Sequence, residues 1–439
     1  MTRNKMMLAL VLMVAMIVTA ACGGANSNTK SDANNNAAAT DAPKDPVTIE
    51  FWTMQLSPTF DDYIKNVISN FEKENADIKV KWVDIPWGDM EKKILASVAS
   101  KTAPDVANLN PQFASKLAEL DALVNMDEMV DKATIDTYFE GVWKSNTFNG
   151  KTFGIPWYLS SEITMYNTDI FKAAGLDPEK APATYEELAQ VAKTIKEKTG
   201  KYAWFPNMDG SKVLEGMVSD GIQLTDADMK KSAFNTPEAV AFFQYYTDLY
   251  KQDLIPREVV TEGHSKAIDM YQAGSLAILA SGPQFLNKVQ ENAPDVLKAT
   301  KSAPSVAGKT GKKNVAAMNL VVPKQSKHQE AAVKFSVYMT NAENQVTFDK
   351  IVPILPSIET ALEDPYFNTL PESPTPIDRA RIVSAAQLKD SEVLVPPMKN
   401  YDEIKKAIVE ELQAAMLGKK SAEDAVKQAA ARVDAELAK

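Results

Sequence analysis

From Val47 to Ala107 the apolar residues keep changing their period, and that alternation narrows the possible folds more than any other feature of the chain. Val47-Thr48-Ile49-Glu50-Phe51 alternates as a half-buried strand does. Phe60, Ile64, Val67, Ile68 and Phe71 then recur at the spacing that puts them on one face of a helix. Ile78, Val80 and Trp82 alternate again, which makes Trp82 a core residue. Met90, Ile94, Leu95 and Val98 form the next helical stripe, and Pro104-Asp105-Val106-Ala107 opens a third strand. Strand, helix, strand, helix, strand predicts an α/β fold with a parallel sheet covered by helices. In such a sheet a ligand lies beyond the carboxyl ends of the strands. The residues just past each strand therefore matter: Trp52-Thr53-Met54-Gln55, then Pro86-Trp87, then Asn108-Leu109-Asn110. Aromatics and amides at successive strand ends suit a carbohydrate, whose hydroxyls pair with amides and whose apolar ring face covers an indole.

The stretch from Phe148 to Leu176 is the next constraint. Asn149-Gly150 is a strong turn signal, because both residues tolerate positive φ. Phe153, Ile155 and Trp157 alternate beyond it, and Pro156 marks a strand end or edge because it cannot donate to a ladder. Tyr158-Leu159-Ser160-Ser161-Glu162 is polar and aromatic together. Ile163, Met165, Ile170 and Phe171 return to the apolar pattern, and Gly175 stops it. Gly154-Ile155-Pro156, Tyr166-Asn167-x-Asp169-x-Phe171, Gly175-Leu176 and Pro182-x-Thr184-Tyr185-Glu186-Glu187-Leu188 together resemble the extracellular solute-binding proteins of sugar ABC transporters, of which maltose-binding protein is the familiar member. The resemblance implies a two-lobe periplasmic-binding-protein-like fold. Each lobe would be a sheet flanked by helices, joined by three crossing segments, with the ligand in the cleft beside the first.

The resemblance extends over nearly all of the chain after residue 46. Thr184 to Glu187 is a capping box, with Leu188, Val191, Ala192 and Ile195 behind it. Trp204-Phe205-Pro206-Asn207 reads as an exposed aromatic loop, and Val240, Phe243, Tyr246 and Tyr250 as core. Ser281-Gly282-Pro283-Gln284-Phe285 resembles the family's Gly-Pro-aromatic signature. The family's stacking aromatic comes directly after the Pro; here Gln284 stands there and Phe285 one place later. Val315 to Val322 looks like the second crossing, with Ala316-Ala317 small enough for close approach, and Lys350 to Pro356 like the third.

The N-terminus points outside the cell. Residues 1–21 hold Arg3 and Lys5 and then an apolar run from Met6 to Val18, too short for a comfortable membrane span and shaped like a secretory signal peptide. Val18-Thr19-Ala20-Ala21-Cys22 resembles the lipobox of bacterial lipoproteins, although Thr19 departs from the usual aliphatic residue. Cys22 is the only cysteine, so no disulfide forms within the chain and no thiolate metal cluster is expected. Residues 22–46, rich in Asn, Ala, Ser, Asp and Thr, read as an acylated Cys and a flexible tether. Behind them the domain expectation is one lobe from 47–158 plus 320–351 and a second from 159–319 plus 352–439.

Charge and motifs exclude several functions. The net charge of −10 makes nucleic acid a poor partner. Gly308-Lys309-Thr310 is not a phosphate loop, because Ala303 stands where the earlier Gly belongs. The two histidines, His264 and His328, have no ligand-spaced partner, and there is no G-x-S-x-G elbow. A glycosidase could still draw a carboxylate pair from the 58 acids, since that pair is defined by distance and not by motif.

The expectation is a monomeric, non-enzymatic, lipid-anchored receptor on the outer face of the bacterial cytoplasmic membrane, without cofactor or metal. It would present a sugar or oligosaccharide to the permease subunits of an ABC importer. A solute such as a glycerophosphate and a surface glycoside hydrolase are the alternatives. Candidate ligand contacts are Trp52, Gln55, Trp87, Asn108 and Asn110 from the first lobe, and Trp157, Tyr158 and Ser160 from the crossing. Trp204, Asn207, Gln284 and Phe285 come from the second lobe and Asn319 from the second crossing; core roles for Trp52 and Trp157 compete with this.

Overall fold

The computed structural model describes residues 46–208, 211–395 and 397–439. The expected signal peptide, Cys22 and all of the tether but Pro46 lie outside the described residues. The predicted alternation is present as β1 (Val47–Met54), α1 (Asp61–Glu74), β2 (Ile78–Ile85), α2 (Trp87–Ser100), β3 (Val106–Leu109) and α3 (Pro111–Glu119). Asp61 and Asp62 stand in the first turn of α1, where the helix dipole favours negative charge, and Tyr63, Ile64, Val67 and Phe71 form its buried stripe. β1 runs parallel to β2 in unbroken register from Val47 opposite Ile78 to Met54 opposite Ile85, and parallel to β3 on its other side.

The chain continues through β4 (Ile155–Ser161), β5 (Ile163–Asn167), α4 (Tyr185–Thr199), α5 (Lys212–Ser219), α6 (Pro237–Lys251), α7 (His264–Gln272), β6 (Ile278–Ser281), β7 (Thr300–Ala303) and β8 (Lys313–Val321). It ends with α8 (Gln329–Met339), α9 (Ala342–Asp349), β9 (Leu355–Pro356), α10 (Pro376–Gln387), β10 (Ser391–Glu392), α11 (Tyr401–Met416) and α12 (Ala422–Leu437). Asn149 and Gly150 turn a short hairpin ahead of β4 with φ of 50° and 73°, as their sequence predicts. The larger sheet has the order β9-β4-β8-β3-β1-β2, with β10 beside β8; the smaller is β6-β5-β7.

Two cores arise from the two sheets. Ile49, Phe51, Ile64, Phe71, Trp157, Phe335 and Phe348 pack on the larger sheet. Ile163, Phe171, Phe243, Tyr271, Leu412 and Val426 pack around the smaller one, where α11 lies against α12 and α6. The fold is therefore two-lobed α/β. The chain passes between the cores at Glu162, between β4 and β5, and again between β7 and β8. After Phe367, which still packs with Leu159 and Leu355, the chain meets the second core at Ala380, while Ala385, Leu388 and β10 lie back against the larger sheet. The expected break at 351/352 therefore falls too early, because Leu355 pairs with Leu159 and Pro356 with Tyr158 in the larger sheet. The expected break at 319/320 cuts a continuous strand, since β8 pairs with β4 from Val315 to Leu320.

Candidate functional site

Strand β4 carries the chain out of the first core, and its last residues open onto a cavity of about 290 Å³. Ser160 and Glu162 come from this end, and Asn314 and Ala316 from β8 beside it. The second lobe supplies Asn207, then Ser211, Lys212 and Glu215 from the start of α5, His264 from the start of α7, and Ser281 to Phe285 from the end of β6, except Pro283. Four expected residues are thus brought together: Ser160, Asn207, Gln284 and Phe285. Gln284 Nε2 donates to Ser160 Oγ at 3.1 Å. Phe285 stands edge-on to His264 with ring centroids 4.7 Å apart, and His264 Nε2 lies 2.8 Å from Ser281 Oγ. The oxygens Asn207 Oδ1 and Gln284 Oε1 are buried and accept no hydrogen bond among the described residues. Unsatisfied buried acceptors are uncommon, and here both belong to residues that line the cavity.

Charge in the cavity is concentrated on three side chains that the sequence reading did not select. Lys212 Nζ lies 2.9 Å from Glu215 Oε2 and 3.2 Å from Glu162 Oε2. Ser211 Oγ donates to the other Glu215 oxygen. Burial would lower the Lys212 ammonium, but the charges of Glu162 and Glu215 outweigh it and hold its pKa above the usual lysine value. Lys212 and Glu215, three residues apart on a helix, look like any solvated pair. Glu162 lies far away in sequence, so no local signal marks the trio. Tyr401, at the start of α11, has its phenol pushed up to about 12 by burial, tempered by Ser211 and Gln112 beside it. Next to it, Asp402 lies 2.6 Å from Lys116 of α3, which also pairs with Glu91 of α2, so an ion pair joins the two lobes at this edge.

Other candidates lie at the carboxyl edge of the larger sheet. Gln55 has a φ of 55° and accepts from the Trp87 N–H at 3.1 Å. Trp87 opens α2, is 47% exposed, and has its ring 6.4 Å from Phe113 of α3. Asn110 caps α3, accepting from Phe113 N at 2.8 Å, with Pro111 at the first helical position.

Several expectations are corrected. Trp52 and Asn108 do not come after their strands but lie inside them, because strand pairing, parallel to β2 at Trp52 and antiparallel to β8 at Asn108, runs past the visible alternation. Trp52 is half-buried, with its indole N–H on Glu50 Oε1 at 2.6 Å. Asn108 is fully buried, donating to Asn319 O at 3.4 Å, and Asn319 Oδ1 accepts from Asn146 at 2.7 Å. This amide cluster ties β3 to β8 inside the sheet. Trp157 is 0% exposed and packs against Phe51 and Phe348, so it is core; Tyr158 is half-buried, 5.0 Å from the Phe348 ring. The Trp204 loop is not exposed: Trp204 and Phe205 belong to the second core, with Trp204 packed near Tyr246 of α6.

Among the described residues, no group of three or more His, Cys, Asp or Glu side chains is placed to hold a metal ion. No described helix is long and apolar enough to cross a membrane.

Residues 56–346 match the sequence model of the bacterial extracellular solute-binding protein family. A protein of Synechococcus sp. MITs9220, assigned as an oligosaccharide periplasmic-binding protein, has a similar crystal structure. It is 37% identical, with a TM-score of 0.82 over 89% of this chain and 98% of that one. The cyclic alpha-maltosyl-1,6-maltose binding protein of Arthrobacter globiformis shares the fold at 22% identity, with a TM-score of 0.76 over 90% and 99% of the two chains. The diacetylchitobiose binding protein DasA of Streptomyces coelicolor is 24% identical over 99% of each chain.

Proposed function

The chain belongs to the bacterial extracellular solute-binding protein family, and we propose that it is the lipid-anchored receptor of an ABC importer. It captures a sugar or short oligosaccharide between its lobes and delivers it to the permease without chemical turnover. The observation that carries this reading is the cavity at the end of β4, lined from both lobes by amide, hydroxyl and aromatic side chains, among them Ser160, Asn207, Gln284 and Phe285. Amide and hydroxyl side chains can both donate to and accept from saccharide hydroxyls. Phe285 lines the cavity and Trp87 stands exposed at the carboxyl edge of the larger sheet, and each is an aromatic surface suited to the apolar side of a sugar ring. The saccharides named for the similar proteins support the same class of ligand.

The mechanism is hinge closure. The passages at Glu162, between β7 and β8, and after Phe367 absorb small backbone changes while each lobe moves as a body. A ligand that touches both lobes favours the closed state by the contacts it makes only there. Cys22, acylated, holds the receptor at the membrane.

A thermal-shift screen against hexose and pentose oligosaccharides tests the reading, with the saccharide recovered afterwards. A true ligand at about a hundred times its Kd stabilises by about 2.7 kcal/mol and comes back intact. Cleaved product would point to a hydrolase, and stabilisation by glycerophosphate alone would point to a different solute.

A further inference from the structure

The cavity at the end of β4 has a charge arrangement that selects among saccharides. Its lining carries two carboxylates, Glu162 and Glu215, and one ammonium, Lys212, besides His264. Lys212 is already committed, at 2.9 Å from Glu215 and 3.2 Å from Glu162. Glu215 is only 8% exposed, so its charge is poorly screened by water. An anionic ligand that took the third N–H of Lys212 would still set its charge beside the two carboxylates which that ammonium already serves. The remaining lining points the same way. Ser160, Asn207, Gln284 and Asn314 are uncharged, so beyond Lys212 and His264 the lining offers a carboxylate or phosphate no further cation.

We infer that this pocket receives an uncharged, hydroxyl-bearing saccharide end and rejects uronates and sugar phosphates, with Glu162 and Glu215 as the residues that reject them. The inference rests on the proposed saccharide-binding function and names the substrate class within it. The pocket's size fits one terminal ring: at about 290 Å³ it lies just below the range of about 300 to 1,000 Å³ that holds larger ligands. Lys212 has a positioning role here, because it holds both carboxylates in the wall.

The test is calorimetric titration of the full chain with a neutral oligosaccharide that binds, with the same saccharide oxidised at its terminal primary alcohol to the uronate, and with its terminal phosphate ester. The neutral compound is expected to bind about a hundredfold more tightly than either anion, the order of a like-charge clash across an interface. Glu162→Gln and Glu215→Gln should each narrow that gap by about tenfold. Glu215 is buried, so melting curves accompany its variant, and Glu162→Gln alone carries the test if that variant does not fold. If uronate or phosphate binds as well as the neutral saccharide, the inference falls and the receptor function stands. If no saccharide of any charge binds, both fall.

Discussion

Gln284 of the second lobe reaches Ser160 on the strand that leaves the first, its Nε2 donating to Ser160 Oγ at 3.1 Å. To do so the side chain folds back over Gly282: a Cβ on Gly282 would stand 2.2 Å from Gln284 Oε1. The bond between lobe and crossing strand therefore depends on a residue without a side chain. The backbone at Gly282 has φ −72° and is open to alanine, so the conflict is with a flexible side-chain end and not with the fold.

Gly282→Ala should dislodge Gln284 and break its bond to Ser160 while changing stability by about 0.5 kcal/mol or less. Saccharide affinity should shift by several-fold, read by titration beside a melting curve. Unchanged affinity with an unchanged melting point would mean that Gln284 has no part in the site.

The indoles separate binding from packing. Trp87 is 47% exposed at the sheet's carboxyl edge, whereas Trp157 is enclosed by Phe51 and Phe348. Trp87→Ala should weaken saccharide binding by about 2 kcal/mol, as loss of a binding hot spot does, and leave unfolding nearly unchanged. Trp157→Ala should instead lower stability by about 3–5 kcal/mol. Denaturant titrations and affinities on the same two proteins decide it, and a reversal of the two effects would contradict the placement.

Asp349, at the end of α9, is fully buried, and among the described residues neither carboxyl oxygen has a hydrogen-bond partner. Burial raises its pKa well above the usual 3.8. The folded chain therefore holds this proton at pH values where the unfolded chain releases it, and stability falls as pH rises above about 4. Asp349→Asn should match the wild type near pH 4 and become progressively more stable than it toward neutrality, with Tyr63 and Tyr158 close by in both proteins. Urea unfolding across that range shows the divergence; parallel curves would mean that the carboxyl finds a partner.

Cys22→Ala should move the protein from the membrane fraction to the soluble one after a mild wash, because the proposed acyl anchor is lost. Retention equal to the wild type would remove the lipoprotein assignment without touching the ligand site.

How far the sequence carried these conclusions depends on what each feature requires. The β-α-β-α-β order was legible because a strand and a helix impose different periods on their apolar residues, and Asn149-Gly150 because its backbone conformation is demanding. Strand ends were less legible. Trp52 and Asn108 break the visible alternation, yet the neighbouring strand pairs through them, and pairing is a long-range property. Trp204 read as exposed because its loop is short and polar-flanked; Tyr246, from a helix about forty residues on, covers it. Glu162, Lys212 and Glu215 stayed hidden because only the meeting of β4 and α5 makes them a unit.

The most direct test of the account is solution scattering from the full chain with and without a saturating saccharide found in the thermal screen. Closure of the two lobes on a ligand that bridges them predicts a smaller radius of gyration in the bound state, with the mass of a monomer in both. An identical profile at saturation would contradict the account, because the ligand would then be held without bringing the lobes together.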